Sequence, residues 1–161
     1  MNGACLHRWP VLALILSLAS FTGACSSDRN SPEAQVRALI KQGESASEKK
    51  ETSVLRRLIS EHYSDSQGQD KKAIEAILRY YFLRNESIHL LTRIQRITVP
   101  KPDTAQAVVL VAMAGQPISG PEELERLRAD LHRFDLNLSR EEGEWKVIRA
   151  EWRRVEFADF L

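Results

Sequence analysis

Thiols are nearly absent from this chain. Its two cysteines, Cys5 and Cys25, both stand in the first 25 residues. The remainder therefore has nothing with which to form a disulfide, a thiolate metal centre or a redox pair. Histidine is sparse as well. After His7 come only His62, His89 and His132, at no helical or strand ligand spacing, so no metal site is expected. There is no glycine-rich phosphate loop, nucleophile elbow or dinucleotide fingerprint, and no cofactor is expected either. An excess of one charge is missing too. The 23 Lys and Arg residues balance 22 Asp and Glu residues with the signs interleaved, which leaves no basic face for nucleic acid. The longest apolar run, Val11 to Ala19, falls well short of the roughly 20 residues that span a bilayer.

What is present begins with that run. Residues 1–24 have the three parts of an export signal: a short n-region with Arg8, an apolar core opened by Pro10, and the small residues Thr22, Gly23 and Ala24. Two processing routes cut before Cys25. An ordinary signal peptidase would release a secreted domain with an N-terminal thiol. The other route follows from resemblance to the bacterial lipobox at Gly23, Ala24 and Cys25, where Thr22 stands in place of the usual Leu. That resemblance implies a bacterial lipoprotein with Cys25 as its first mature residue, its sulfur carrying diacylglyceryl. At about 0.8 kcal/mol per buried CH₂, several acyl chains would hold it at the membrane. Ser26, rather than Asp, follows the cysteine. By the same resemblance, this favours the outer membrane over the inner, with the domain facing the periplasm.

Three segments follow: a signal peptide at 1–24, a lipidated cysteine with a short polar tether at 25–30, and one domain at 31–161. Removing 24 residues of 161 takes away Arg8 alone among the charged side chains, so the mature net charge is near zero. Ser31 is placed to cap a helix, with Pro32 at its first position and Glu33 in its first turn. Val36, Leu39 and Ile40 form its stripe. A break is expected between Gly43 and Lys50, then a second helical stretch through Val54, Leu55, Leu58 and Ile59. Loop chemistry fills Ser64 to Asp70. Asp70 caps a further helix with Ile74, Ile77, Leu78, Tyr81 and Phe82 on one face, and Asn85 stops it.

From Ser87 the period changes to that of strands. Ile88 to Val99 is the first, ended by Pro100; Thr104 to Ala114 is the second, apolar on both faces and so central. A connection with one helical turn at Glu122–Arg128 follows. Phe134, Leu136 and Leu138 then alternate with polar residues, and Glu141–Glu144 turns the chain into a hairpin partner through Trp152. Helices followed by antiparallel strands define an α+β layer with helices on one face of the sheet.

That order, closed by Gly143-Glu144-Trp145-Lys146-Val147 and with Tyr63-Ser64-Asp65 after the second helix, resembles a nuclear-transport-factor-2-like domain. This is the cone fold, also called cystatin-like, of ketosteroid isomerases, scytalone dehydratase and polyketide-cyclase-like proteins. The resemblance implies a curved antiparallel sheet around a cavity and implies no activity, because the fold hosts enzymes and inert binding domains alike.

Candidates for chemistry in such a cavity are Tyr63, Asp65, Tyr80, Tyr81, His89, His132, Asp135 and Trp152, of which His89, Asp135 and Tyr63 are the residues to test first. None aligns with a catalytic motif, so no catalytic role is assigned. His89 lies on the face opposite Ile88 and Leu90, Asp135 is expected to face solvent, and His132 reads as an edge residue before its strand. Trp145 and Trp152 read as packing. The Arg149, Arg153 and Arg154 cluster is expected to pair with its neighbouring Glu residues. The expectation is a membrane-anchored periplasmic accessory domain, not an enzyme, that binds a small apolar ligand, an envelope protein or its own copy. The rival is a small lyase, isomerase or hydrolase acting on an envelope metabolite.

Overall fold

The computed structural model describes residues 30–160. The expected signal peptide, Cys25 and most of the expected tether lie outside them. Among the described residues no helix is long and apolar enough to cross a membrane.

Helix α1 (Pro32–Glu48) starts as its sequence dictates, with Ser31 Oγ accepting from the Ala34 amide at 3.2 Å. It passes through Gly43, and the break falls at the far end of the expected interval, after Glu48. Lys50 takes the left-handed conformation at φ 55°, and the Glu51 amide donates to Ala46 O at 2.8 Å, a helix-ending arrangement usually given to glycine. The Lys50 ammonium donates to Asn85 O at 2.6 Å and Glu86 O at 2.8 Å, placing a cation at the C-terminus of the third helix. Helix α2 (Thr52–Leu58) is short, and α3 (Lys71–Arg84) is capped by Asp70, whose Oδ1 accepts from the Ala73 amide at 2.8 Å.

The strands β1 (His89–Lys101), β2 (Thr104–Ala114), β3 (Asp130–Glu141) and β4 (Glu144–Arg154) form one antiparallel sheet in chain order. Pro100 does not end β1 as expected from sequence. The strand runs on to Lys101 because β1 is a sheet edge, where a missing N–H interrupts no ladder. Residues Gln95 and Ile148 are extra in their pairings, and such bulges increase local twist. The edge of β4 is covered by the chain after α2. The Ser60 amide donates to Val147 O at 3.0 Å and the Ser64 amide to Ile148 O at 3.1 Å.

The register sorts the sheet into two faces. On the inner face, Val36, Leu39 and Ile40 of α1 pack against Ala105, Ala107, Val109, Leu138 and Trp145. On the outer face, Leu110 and Ala112 are covered by Leu124 and by Phe160 of the terminal turn α4 (Phe157–Phe160). The Arg93 guanidinium donates to Phe160 O at 2.6 Å. Strand β2 is thus buried on both faces, as expected of a central strand. Between Gly120 and Asp130 the chain makes a 3₁₀ turn at Pro121–Glu123, and Leu124 is 2% exposed.

Candidate functional site

The inner face is a ladder of cross-strand rows. At one end, the base, stand Val99, Ala105, Leu138 and Val147, roofed by α1. Next come Ile97, Ala107, Leu136 and Ala150, then Ile94, Val109, Phe134 and Trp152. Thr92, Val111, His132 and Arg154 form the fourth row, and Leu90, Met113 and Asp130 the rim. At the base Ala105 and Leu138 are buried under α1 with Val99 and Val147 half-buried beside them, whereas Val111, Met113, His132, Phe134 and Trp152 at the other end are all half-buried. This half-covered end is the mouth of the cone.

Four features give the mouth chemical character. The Phe134 and Trp152 rings stack at 6.4 Å between centroids with 29° between planes. His132 is 6.4 Å from Phe134 between ring centroids, and its Nδ1 is buried without a hydrogen-bond partner among the described residues. Burial lowers the His132 pKa, and Arg154 adds to this while Asp130 opposes it, so the imidazole is neutral near pH 7. Tyr81 reaches over the rim from α3, its hydroxyl 3.8 Å from Met113 Sδ. Burial raises its pKa, with the Asp130 charge adding to the rise.

Glu44 completes the set. It lies four residues after Ile40, on the same stripe of α1, and is hydrogen-bonded to Thr92. Burial raises its pKa and that hydrogen bond resists the rise. Thr92 and His132 are two strands apart, about 10 Å at 4.8 Å per strand, so Glu44 and His132 face one another across a gap rather than a hydrogen bond. Asp130 and Arg154 pair at the rim.

The residues singled out from sequence part company. Tyr81, His132 and Trp152 come together at the mouth. His132 is not an edge residue before its strand. The strand begins at Asp130, and its alternation with Phe134, Leu136 and Leu138 sends His132 inward. His89 and Asp135 are on the outer face, about 20 Å apart along β2 at 3.3 Å per residue. The Arg133 guanidinium donates to Asp135 at 2.8 and 3.0 Å and holds its pKa below the usual carboxylate value. That carboxylate is a salt-bridge partner facing away from the helices. Arg149 likewise pairs with Glu151 at 2.7 Å and Arg154 with Asp130, whereas Arg153 adds its charge to those that lower the Asp135 pKa. Tyr80 is exposed beneath Arg84.

Tyr63 is buried elsewhere, against β4. Its hydroxyl is 3.3 Å from Ala150 O and 3.4 Å from Asp65 Oδ2, and burial, helped by the Asp65 charge, pushes its pKa up to about 12. Asp65 is itself a loop staple, with Oδ1 accepting from the Gln67 and Gln69 amides at 2.9 Å each. These two residues build the turn into α3. They hold structure and do not open onto the mouth.

Sequence reasoning did not find Glu44, Thr92, Met113 or the Asp130–Arg154 pair. A signal for Glu44 was available, since it is a carboxylate one turn beyond Ile40 on an apolar stripe. Two open depressions lie away from the mouth. One, of about 590 Å³, runs along the polar outer face by Gln106, Asn137 and Arg149. The other, of about 500 Å³, follows the solvent side of α1. No group of three His, Cys, Asp or Glu side chains among the described residues could hold a metal ion.

The fold is the nuclear-transport-factor-2-like, or cystatin-like, cone. A ketosteroid isomerase-like protein from Erwinia carotovora atroseptica superposes with TM-score 0.59 at 11% identity, covering 79% of this chain and 98% of that one. A nuclear-transport-factor-2-like protein from Silicibacter pomeroyi gives TM-score 0.57 at 17% identity, with 76% and 95% covered. A Bdellovibrio bacteriovorus protein gives TM-score 0.61 at 13% identity; 81% of this chain matches, spanning only 43% of that chain's length. No family model matches the sequence, and no curated protein does. At such identities the likeness is one of fold alone.

Proposed function

We propose that this chain is a lipoprotein of the bacterial cell envelope, anchored through acylated Cys25 and facing the periplasm, on the outer membrane in preference to the inner. Its cone binds a small, largely apolar ligand at the mouth and performs no chemistry on it. One observation carries the binding reading. The stacked Phe134 and Trp152 rings remain half-exposed beside a neutral His132 whose Nδ1 lacks a partner, whereas the base is filled by the protein's own side chains. Aromatic surface with one convergent polar atom is the usual make-up of a small-molecule site. Among the described residues no carboxylate is hydrogen-bonded to His132 to orient it, the arrangement that activates a histidine in catalytic triads.

The test is native mass spectrometry of the mature protein from its own host, with tryptophan fluorescence as the second readout. A retained apolar molecule that quenches Trp152, and is lost in Trp152→Ala, supports the reading. A protein that carries no such molecule and shows no quenching with a panel of lipid-like compounds overturns it. Mass spectrometry of the N-terminus checks the anchor separately, since an unmodified Cys25 thiol refutes it. Cys25→Ser is expected to release the domain or stall its processing.

A second reading, a small lyase, isomerase or hydrolase, is favoured by one specific feature. Burial pushes the Glu44 pKa up and the His132 pKa down on either side of the same gap, two desolvated titratable groups facing one site. Turnover of a bound ligand that stops in His132→Gln would establish it.

A further inference from the structure

Helix α3 is apolar on two sides. Successive residues step by about 100° around a helix, so Leu78, Tyr81 and Phe82 share one side and Ala73, Ala76, Ile77, Tyr80 and Leu83 the other. The first side packs against Leu55, Ala46 and Ile88. Ile77, expected from sequence on that packed side, instead joins the outward one. There Ile77 is 44% exposed, Tyr80 60% and Leu83 86%.

Charge on this helix is one-signed outward. It carries four basic residues and one acidic. Lys71 points back, donating to Ile59 O at 2.8 Å and pairing with Glu61 at 2.9 Å. Glu75 lies off the apolar stripe with a side chain only 15% exposed, and Arg79 reaches it at 3.9 Å. Lys72, Arg79 and Arg84 flank the exposed apolar residues. The Arg84 guanidinium lies 5.4 Å over the Tyr80 ring and donates to its hydroxyl at 2.6 Å. An aliphatic and tyrosine surface edged with cations is the composition of a helix that lies in the plane of an anionic membrane.

We propose that the outward stripe of α3, Ile77, Tyr80 and Leu83 with Lys72, Arg79 and Arg84, is a second, peripheral contact with the lipid bilayer. The inference rests on the anchoring at Cys25. The two helices run the same way between the same ends of the sheet. Near the start of α1, the Trp145 indole donates to Gln35 at 3.0 Å, and near the start of α3, Lys71 holds Ile59, which is bridged to Val147. Past their far ends, Lys50 binds the carbonyls of Asn85 and Glu86. The tether therefore enters the fold at the end where α3 begins. Its five residue-to-residue steps from Cys25 to Asn30 reach at most about 18 Å, keeping that end close to the bilayer.

Size argues against a second copy as the occupant. From Ile77 to Leu83 is about 9 Å along the axis, whereas a stable protein pair buries roughly 800 Å² on each partner. A weak membrane contact needs no such area, because the anchor raises its effective concentration.

The lipidated full chain, purified from its host and reconstituted in phosphatidylethanolamine–phosphatidylglycerol vesicles, provides the test. An environment-sensitive fluorophore is placed at Leu83→Cys and, as a control, at the exposed outer-face site Gln106→Cys. The expected result is a blue shift at position 83 only, reversed by high salt and absent in phosphatidylcholine. Hydrogen exchange of unlabelled protein, slowed by the same vesicles over 76–84, is the label-free check. Protein that floats with vesicles while position 83 stays water-like and its exchange unchanged overturns the contact and leaves the anchor standing. Protein that does not float overturns both. A concentration-dependent shift without vesicles assigns the stripe to a second copy and also overturns the proposal.

Discussion

The base and the mouth of the cone are made from the same four strands, yet they differ in what covers them. At the base, α1 presses Val36, Leu39 and Ile40 onto Ala105, Ala107 and Leu138, leaving them almost wholly buried. At the mouth, α3 sends Tyr81 over the rim and leaves Phe134, Trp152 and His132 half-buried. Apolar burial is roughly proportional to area removed from water, so the base holds the fold while the mouth keeps surface to offer a ligand. The unpartnered Nδ1 of His132 and the shifted pKa values of Glu44 and His132 all fall at the mouth. On the proposed binding reading, stability and ligand contact divide along a single sheet face.

Substitutions can break that division, and the largest effect is expected at the base. Leu138, 1% exposed, becomes a cavity in Leu138→Ala, and urea unfolding should show a loss of about 2–5 kcal/mol. Trp152→Phe at the mouth should cost less than about 1.5 kcal/mol while weakening ligand binding. Equal losses at both ends would erase the contrast.

The turn bordering the base comes next. Asp65→Ala strips the acceptor from two backbone amides, and its cost should be about 1–3 kcal/mol. Tyr63→Phe, which removes one hydroxyl with its contacts to Ala150 O and Asp65 Oδ2, should cost about 1 kcal/mol. The Tyr63 phenol should stay protonated in a UV titration until pH nears its pKa of about 12.

A smaller effect sharpens the mouth. His132 has a folded pKa below the ordinary histidine value of about 6.5. The unfolded chain therefore binds the proton first, and stability falls as pH drops from about 6.5 toward the lowered value. Glu44 acts oppositely: its folded pKa is raised, so its contribution falls as pH rises from about 4.5 toward the raised value. His132→Gln should flatten the first slope and leave the second, as read from urea midpoints between pH 4 and 7. A slope unchanged by His132→Gln would show that the ring is not desolvated. The smallest effect belongs to α3, where Leu83→Asp should move unfolding by no more than about 0.5 kcal/mol, as for other surface changes.

Much of the architecture was legible because its causes are local. Ser31 and Asp70 cap helices with their own side chains, and the alternation at Phe134, Leu136 and Leu138 marks an inward strand face. Where a remote neighbour decides, sequence reading went astray. Pro100 sits within a strand because β1 has no partner on one side. Ile77 turns outward because Leu78, Tyr81 and Phe82 already occupy the packed side. His89 and Asp135, by contrast, lie on the outer face as their alternation with apolar neighbours predicts.

By itself the sequence determined the order of elements, their caps and their periodicities, since these depend on hydrogen bonds and side-chain directions within a few residues. It also carries the lipobox-like segment around Cys25. Only the tertiary structure decided which side of α3 is packed, which of the two central-strand faces meets α1, and which titratable groups lose water together. Those depend on register, on the bulges at Gln95 and Ile148, and on desolvation by side chains distant in the chain, such as those that bring Glu44 and His132 to one mouth.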